Sequence, residues 1–476
     1  MLGSARRQRV SVSRWSRRHE AGRERGLTDL HATQSDVVQS RADGPSGPRL
    51  INMRFRAFSN IALLAGALLA CQGAEVSGPG EWPQFRGPQG NGVSSELGLP
   101  LTWSEDSDNL AWKVTIPGEG NSSPIVSHGR IFLSTATTSE TEVERRVIAL
   151  DFATGEQLWQ TPIGLAAKSK RHRYNTYAAP TPVTDGRHIF AHFGDLLACL
   201  DREGQILWTK ELDEQYAEFA HYGSASSPVL TEKAVIIAHD RETQKKPQGW
   251  LGAFDKKTGE ELWKVEWADK CCSYTTPLVR RRGASEEVIF TESGAVSSYD
   301  AVTGEKLWTH LLQFNQPVAS AVTDGEFLAV FSGAHNVRFG AVLKLAGEGK
   351  DTQTEELWQT NQMIPQTASP VLYDGKLYTV VDLGHMVCYD VPTGTRLWRR
   401  RLPEAGGYRS SLVAGDGKIY TLTSSGMTVV LAAGHEFQQL ATNPLAEGGN
   451  SSPAIAGRSI LIRTKTTLYR FDGEGA

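Results

Sequence analysis

The residue types most able to do chemistry in this chain are gathered in a few short stretches. Cys271 and Cys272 are adjacent, set between Trp267 and Thr275-Thr276-Pro277. Neighbouring thiols can close into a strained local disulfide that serves as a redox device or as a lid over a cofactor, or they can remain two structural thiols in a loop. A second stretch, Lys168-Ser-Lys-Arg-His-Arg-Tyr-Asn-Thr-Tyr177, concentrates Arg171, His172 and Arg173 beside Tyr174 and Tyr177. Guanidinium forks among aromatic rings suit an anionic ligand or the acidic segment of a partner, and the bland alternative is a solvated loop. His221, Tyr222, Tyr274, Gln316, Gln366, Tyr408 and Arg409 lie at comparable places farther along. His188 and His192 are four apart in strand-like sequence without carboxylate or Cys neighbours, so no metal site is expected of them. Cys199 and Cys388 occupy one repeated position and read as small buried apolar residues. No Gly-x-Ser-x-Gly elbow or phosphate loop is present, and no catalytic residue is assigned.

What positions these residues depends on how the chain is divided. The 476 residues carry a net charge of −3, but residues 1–56 alone hold twelve Arg, no Lys and five acidic residues, a balance of +7. Subtraction (−3 − 7) leaves −10 for the remainder, which argues against a nucleic-acid partner. Residues 1–52 read as an Arg-rich extension that is not native or not ordered, with translation starting at Met53. Residues 53–71 read as a secretory signal: Arg54 and Arg56, an apolar run too short to span a bilayer, then Leu68-Leu69-Ala70-Cys71. The last four residues resemble a lipobox, and Cys71 is expected to carry lipid. Residues 72–108 read as an N-terminal linker, and residues 109–476 as the folded body.

That body is built from a repeat. Ala149-Leu-Asp-Phe-Ala-Thr-Gly-Glu-Gln-Leu-Trp159 returns ending at Trp208, Trp263, Trp308 and Trp398, with degenerate copies ending at Trp358 and running from Val430 to Leu440. Counting from Trp112, the tryptophans are 40 to 55 residues apart, the spacing of propeller blades. In each copy an apolar strand ends in Asp, whose carboxylate can accept N–H groups of the turn, Gly supplies positive φ, and Leu-Trp opens the next strand. A second marker precedes each hairpin: Ser122-Ser-Pro, Pro180-Thr-Pro, Ser226-Ser-Pro, Thr275-Thr-Pro, Gln316-Pro-Val318, Ala368-Ser-Pro, Ser410-Ser-Leu and Ser451-Ser-Pro. Proline is tolerated at the start of an edge strand, so this marker is assigned to the innermost strand of each blade. The expected fold is all-β: eight four-stranded antiparallel blades, closed by pairing of Leu110-Ala-Trp112-Lys-Val114 with Leu468-Tyr-Arg-Phe-Asp472.

The Asp-x-x-Thr-Gly-x-x-Leu-Trp hairpins resemble the PQQ-like β-propeller repeat over roughly residues 110–472, and Trp82-Pro-Gln-Phe-Arg-Gly-Pro-Gln-Gly-Asn-Gly92 resembles the opening of many exported bacterial members. The resemblance implies one of two roles. Quinoprotein dehydrogenases hold pyrroloquinoline quinone and Ca²⁺ in the central funnel, where an adjacent-cysteine disulfide can cover the quinone; Cys271 and Cys272 would be that lid. The propeller lipoprotein of the outer-membrane β-barrel assembly machinery is a non-catalytic eight-bladed scaffold. The lipobox, the blade count and the 406 residues from Cys71 to Ala476 fit the second. The expectation is therefore a monomeric scaffold without cofactor, lipid-anchored in the outer membrane facing the periplasm, that binds envelope assembly proteins. Its binding face is the one receiving Arg171, His172, Arg173, Tyr174, Tyr177, His221, Tyr222, Tyr274, Tyr408 and Arg409.

Overall fold

The turn chemistry read from the repeat sets the architecture. A computed structural model of the chain describes residues 80–219, 222–241, 248–268, 273–283, 285–333, 337–403 and 406–475. The Arg-rich extension, the signal with Cys71, His221 and the Cys271-Cys272 pair lie outside the described residues. In the first complete hairpin, Asp151 Oδ1 accepts the Thr154 N–H at 2.8 Å and the Thr154 hydroxyl at 3.1 Å. Gly155, at φ +74°, then donates its N–H back to Asp151 O at 2.9 Å. Asp255, Asp300 and Asp390 cap their turns in the same way through Thr258, Thr303 and Thr393. Two side chains and one glycine thus satisfy the backbone of a two-strand reversal without outside help.

The turn glycine has a second duty, which links neighbouring blades. A Cβ on Gly259 would lie 2.7 Å from the Trp208 ring, and one on Gly304 would lie 2.6 Å from that of Trp263. Each indole lies flat on the turn of the next blade and donates its N–H to the carbonyl after the motif Asp: Trp159 to Arg202 O at 2.8 Å, Trp208 to Lys256 O and Trp263 to Ala301 O at 3.1 Å. Trp308 departs from this because the next repeat has lost its Thr-Gly turn. Its indole instead donates to Glu287 Oε2 at 3.1 Å inside its own blade, and Glu287 also pairs with the buried Arg280.

The described strands form eight four-stranded antiparallel sheets. Seven are consecutive meanders: Ile125–Ala167, Val183–Glu211, Val229–Ala268, Leu278–Leu311, Val322–Thr360, Val371–Arg401 and Val413–Pro444. The eighth, Ala454–Asp472, takes its outermost strand from Leu110–Thr115, with Lys113 opposite Tyr469. The ring is closed by the two ends of the body, as the sequence indicates. The apolar core lies between sheets; Ile289 and Trp308 of the fourth blade, for example, pack with Leu328 and Val330 of the fifth.

The innermost strands are joined by a closed circuit of hydrogen bonds. The Ser123 N–H donates to the Thr181 hydroxyl, Thr181 to Ser227, Ser227 to Thr276 and Thr276 to Ser320, each at 2.9 to 3.1 Å. Ser320 donates to Ser369, Ser369 to Ser411, Ser411 to Ser452, and Ser452 back to Ser123, at 3.0 to 3.1 Å. This corrects one reading of the sequence. The fifth innermost strand is Val322–Thr323, with Ser320 in the marker position, and Gln316-Pro317-Val318 lies in the connection before it. Ala321 replaces the proline there, and Leu412 replaces it in the seventh blade; the feature common to all eight is the hydroxyl.

The described part of the N-terminal linker packs against the ring. Trp82 is buried and pairs with Val126, the Thr184 N–H donates to Pro83 O, and Val93 pairs with Ala414. These anchors sit on the first, second and seventh blades, downstream of the hydroxyls on the same strands, so the segment crosses one end of the axis.

The Gly259→Ala variant tests the Trp-on-Gly seam. It places a methyl in the left-handed region and against Trp208, and should cost about 2–4 kcal/mol of stability. A urea titration of both proteins reads it as a lower midpoint at unchanged slope; an unchanged midpoint would refute the seam.

Candidate functional site

A strand start alternates its side chains, so the residue two before each collar hydroxyl shares its orientation. Those eight residues are Asn121, Ala179, Ala225, Tyr274, Val318, Thr367, Arg409 and Asn450, and all of them, with all eight collar residues, line one axial cavity of about 400 Å³. Phe85 of the linker also lines it, from the end the linker crosses. At the opposite end the mouth is formed by His172, Tyr174, Asn175, Tyr222, Gly223, Gln316 and Gln366. Among the described residues the only charged or titratable lining groups are Arg409, His172 and the tyrosines, and none of the lining groups is a carboxylate.

The basic loop is held over the mouth by its neighbours. Asn175 Nδ2 donates to Tyr222 O at 2.8 Å and Ser224 O at 3.1 Å, and Tyr174 O accepts Asn121 Nδ2 at 2.8 Å. The Tyr174 ring receives the Arg409 guanidinium at 3.7 Å and that of Arg173 at 4.6 Å, both measured to the centroid. His172 meets Tyr174 and Tyr222 edge-on, and Tyr222 meets Tyr274 edge-on, giving a continuous aromatic rim. Partial desolvation, then the charges of Arg173 and Arg409, hold the His172 imidazole below its ordinary range, so the ring is neutral at pH 7. Arg409 is fixed on its other side: Nη1 donates to Ser424 Oγ at 2.9 Å, and Nε lies 3.9 Å from Asp382.

The structure therefore brings His172, Tyr174, Tyr222, Tyr274 and Arg409 together, with Gln316 and Gln366. Arg173 is exposed above Tyr174. Two other expected residues turn away: Arg171 donates to Asn175 O at 2.6 Å and to Glu119 at 3.1 Å and stacks on Tyr177, whose hydroxyl donates to Ser169 O at 2.9 Å. Both line a separate crevice of about 30 Å³. Tyr408 is a correction. It is buried between the sixth and seventh blades, with its hydroxyl on Pro403 O at 2.8 Å, because it stands one residue out of phase with Arg409. His221, Cys271 and Cys272 lie outside the described residues.

Of the remaining candidates, His188 pairs with Asp185 at 3.3 Å, while burial and then His239 hold His192 down at about 4. Among the described residues no group of three or more His, Cys, Asp or Glu could hold a metal. Cys199 and Cys388 are buried thiols pushed up to about 12 by burial, the character of inert core residues.

This architecture has known relatives. A family profile described as outer membrane protein assembly factor BamB matches residues 93–243, 143–400 and 247–475. The chain belongs to this PQQ-like propeller family. Among curated members, BamB of Burkholderia pseudomallei (strain K96243) is 25% identical over 211 residues, 41% of this chain and 46% of the relative. BamB of Moranella endobia (strain PCIT) is 23% identical over 316 residues, 64% of this chain and 77% of the relative. The chain spans about half the length of the first curated relatives it matches, 46% and 57%. Among solved structures, BamB from Moraxella catarrhalis superposes with a TM-score of 0.54 at 12% identity, covering 77% of this chain and 98% of the other. A europium-containing methanol dehydrogenase superposes with a TM-score of 0.56 at 12% identity, covering 83% and 98%. At such identities the superpositions establish the fold alone.

The quinoprotein resemblance implies pyrroloquinoline quinone with Ca²⁺ in this funnel. Ca²⁺ is a hard cation that takes many oxygen ligands, carboxylates prominent among them. The described lining offers no carboxylate, and Phe85 rather than a tryptophan closes the far end. The donor set does not fit the metal.

Tyr408→Ala should lower stability by about 3 kcal/mol through loss of a buried ring. Arg173→Ala, at an exposed site, should change it by less than about 0.5 kcal/mol. Urea unfolding of the two variants separates core from rim, and equal effects would refute the phase assignment.

Proposed function

We propose that the protein is a non-catalytic, exported propeller lipoprotein that scaffolds outer-membrane or envelope protein assembly, with the mouth of the axial cavity as its partner-binding face. The observation that carries this reading is the chemistry of the funnel. Where a quinoprotein needs a cation-binding carboxylate, this chain has hydroxyls, amides, one arginine and one histidine at the mouth, and no carboxylate, among its described lining residues. Membership of a family described by an assembly factor supports the same reading. The rim of His172, Tyr174, Tyr222 and Tyr274 suits a protein partner, since aromatic groups with polar tips are the side chains that anchor interfaces.

The alternative is a quinone-dependent oxidoreductase with Cys271 and Cys272 over the cofactor. Its support is the fold shared with methanol dehydrogenase. Pyrroloquinoline quinone titrated with Ca²⁺, followed by tryptophan quenching with and without reductant, should give no saturable signal; Ca²⁺-dependent saturation that weakens on reduction would favour the enzyme.

The scaffold role predicts that crosslinked envelopes yield barrel-assembly components with the native protein, and fewer with Tyr174→Ala/Tyr222→Ala. Cys71→Ser should move the protein from the membrane fraction to the soluble one. Recovery of no assembly component, or persistent membrane association of Cys71→Ser, would sink the corresponding half of the proposal.

A further inference from the structure

The axial cavity is lined by a ring of hydroxyl donors, with the amides of Asn121 and Asn450 in the next tier. Every collar hydroxyl uses its oxygen to accept the N–H of the preceding blade, and among the described residues none donates its own hydrogen to a protein acceptor. All eight residues are more than nine-tenths buried, from Thr181 at 1% exposure to Thr276 at 8%. A hydroxyl that already accepts a hydrogen bond is polarised toward donating one, and eight such donors face one space.

Three arginines lie close to this collar. Arg409 stands in the tier next to it, with Asp382 at 3.9 Å as its neighbouring carboxylate. Two further arginines, Arg86 and Arg463, are fully buried and have no carboxylate partner among the described residues. Arg86 donates through Nη2 to Pro370 O, immediately after collar residue Ser369, and to Asn91 O at 2.9 Å. Arg463 donates through Nη1 to Ser122 O at 2.8 Å, immediately before collar residue Ser123, and to Ser134 O at 2.9 Å. The Nε and Nη1 of Arg86, and the Nε and Nη2 of Arg463, have no acceptor among the described residues. Burial draws both down to about 9, which leaves both charged at neutral pH. Buried cations without counter-charge are costly, and although neither arginine lines the cavity, their charge raises the potential behind the collar strands they bond to.

We propose that the axial cavity is a metal-free receptor for an oxyanion, a carboxylate or phosphate whose oxygens accept hydrogen bonds from the hydroxyl collar and from Arg409. The collar supplies donors from every direction around the axis, and Arg409 supplies a planar fork at its edge. The aromatic rim excludes water from one side of the bound group, and Phe85 does so from the other. This assignment goes beyond the scaffold reading and does not depend on it, because it concerns a ligand inside the ring rather than a partner at its mouth.

Isothermal titration of the purified full chain with citrate, inorganic phosphate and glucose, each without Ca²⁺, tests the proposal. Citrate or phosphate should bind saturably and lose affinity as salt rises, and glucose should not bind; which oxyanion binds identifies the source of the group. R409Q, checked for folding by circular dichroism, should weaken that binding by about tenfold or more. Absence of saturable binding by both oxyanions, equal binding of glucose, or an unchanged affinity in folded R409Q would each overturn the proposal. If R409Q does not fold, the three ligands and the salt dependence on the native protein decide it alone.

Discussion

Eight backbone N–H groups at the axis must find acceptors, because the innermost strands face neither a fifth strand nor bulk water. The chain answers with one hydroxyl per blade, each accepting from the blade before it, until Ser452 returns the circuit to Ser123. A Ser or Thr at that place satisfies a buried donor and fixes the distance between adjacent strands at once. The blade number, the bore of the funnel and the inward tier of side chains all follow from this contact. The Trp-on-Gly seams at the periphery do the complementary work, setting the angle between sheets from the outside.

Much of this was legible before any coordinates. The hairpins declare themselves because Asp, Thr, Gly and Trp each have a separate physical task at a fixed offset, so the pattern survives drift elsewhere. The marker of the inner strand was harder to read in the fifth blade, where attention to proline led to Pro317 instead of Ser320. Proline there is permissive, since an edge strand tolerates it, whereas the hydroxyl is required by the neighbour's N–H. Residues that serve another blade are less visible in a sequence than residues that serve their own turn.

The site was legible in composition and illegible in phase. Tyr274 and Arg409 both precede a collar hydroxyl by two residues and face the axis; Tyr408 precedes one by three and enters the core. Counting back from the hydroxyls, rather than from the prolines, separates them. The basic loop divides in a similar way, since Arg171 is consumed by Glu119 and Asn175 while His172 and Tyr174 remain over the cavity. Nothing in the sequence marks Phe85 as part of the funnel, because its place depends on anchors that Trp82 finds on the first blade and Val93 on the seventh, far away in the chain.

The closing blade carries a temporal consequence. Lys113 lies opposite Tyr469, so the pair that completes the ring joins residues separated by nearly the whole body. Loop-closure entropy is paid before such a contact returns anything, and folds dominated by distant pairings assemble slowly. A growing chain can fold successive hairpins as they emerge, but the first-made strand of the body has no neighbour until the final one is synthesised. Until then an unpaired edge is open to other chains. The sequence position of one short strand therefore sets the moment at which the molecule stops being a sticky ribbon and becomes a sealed wheel.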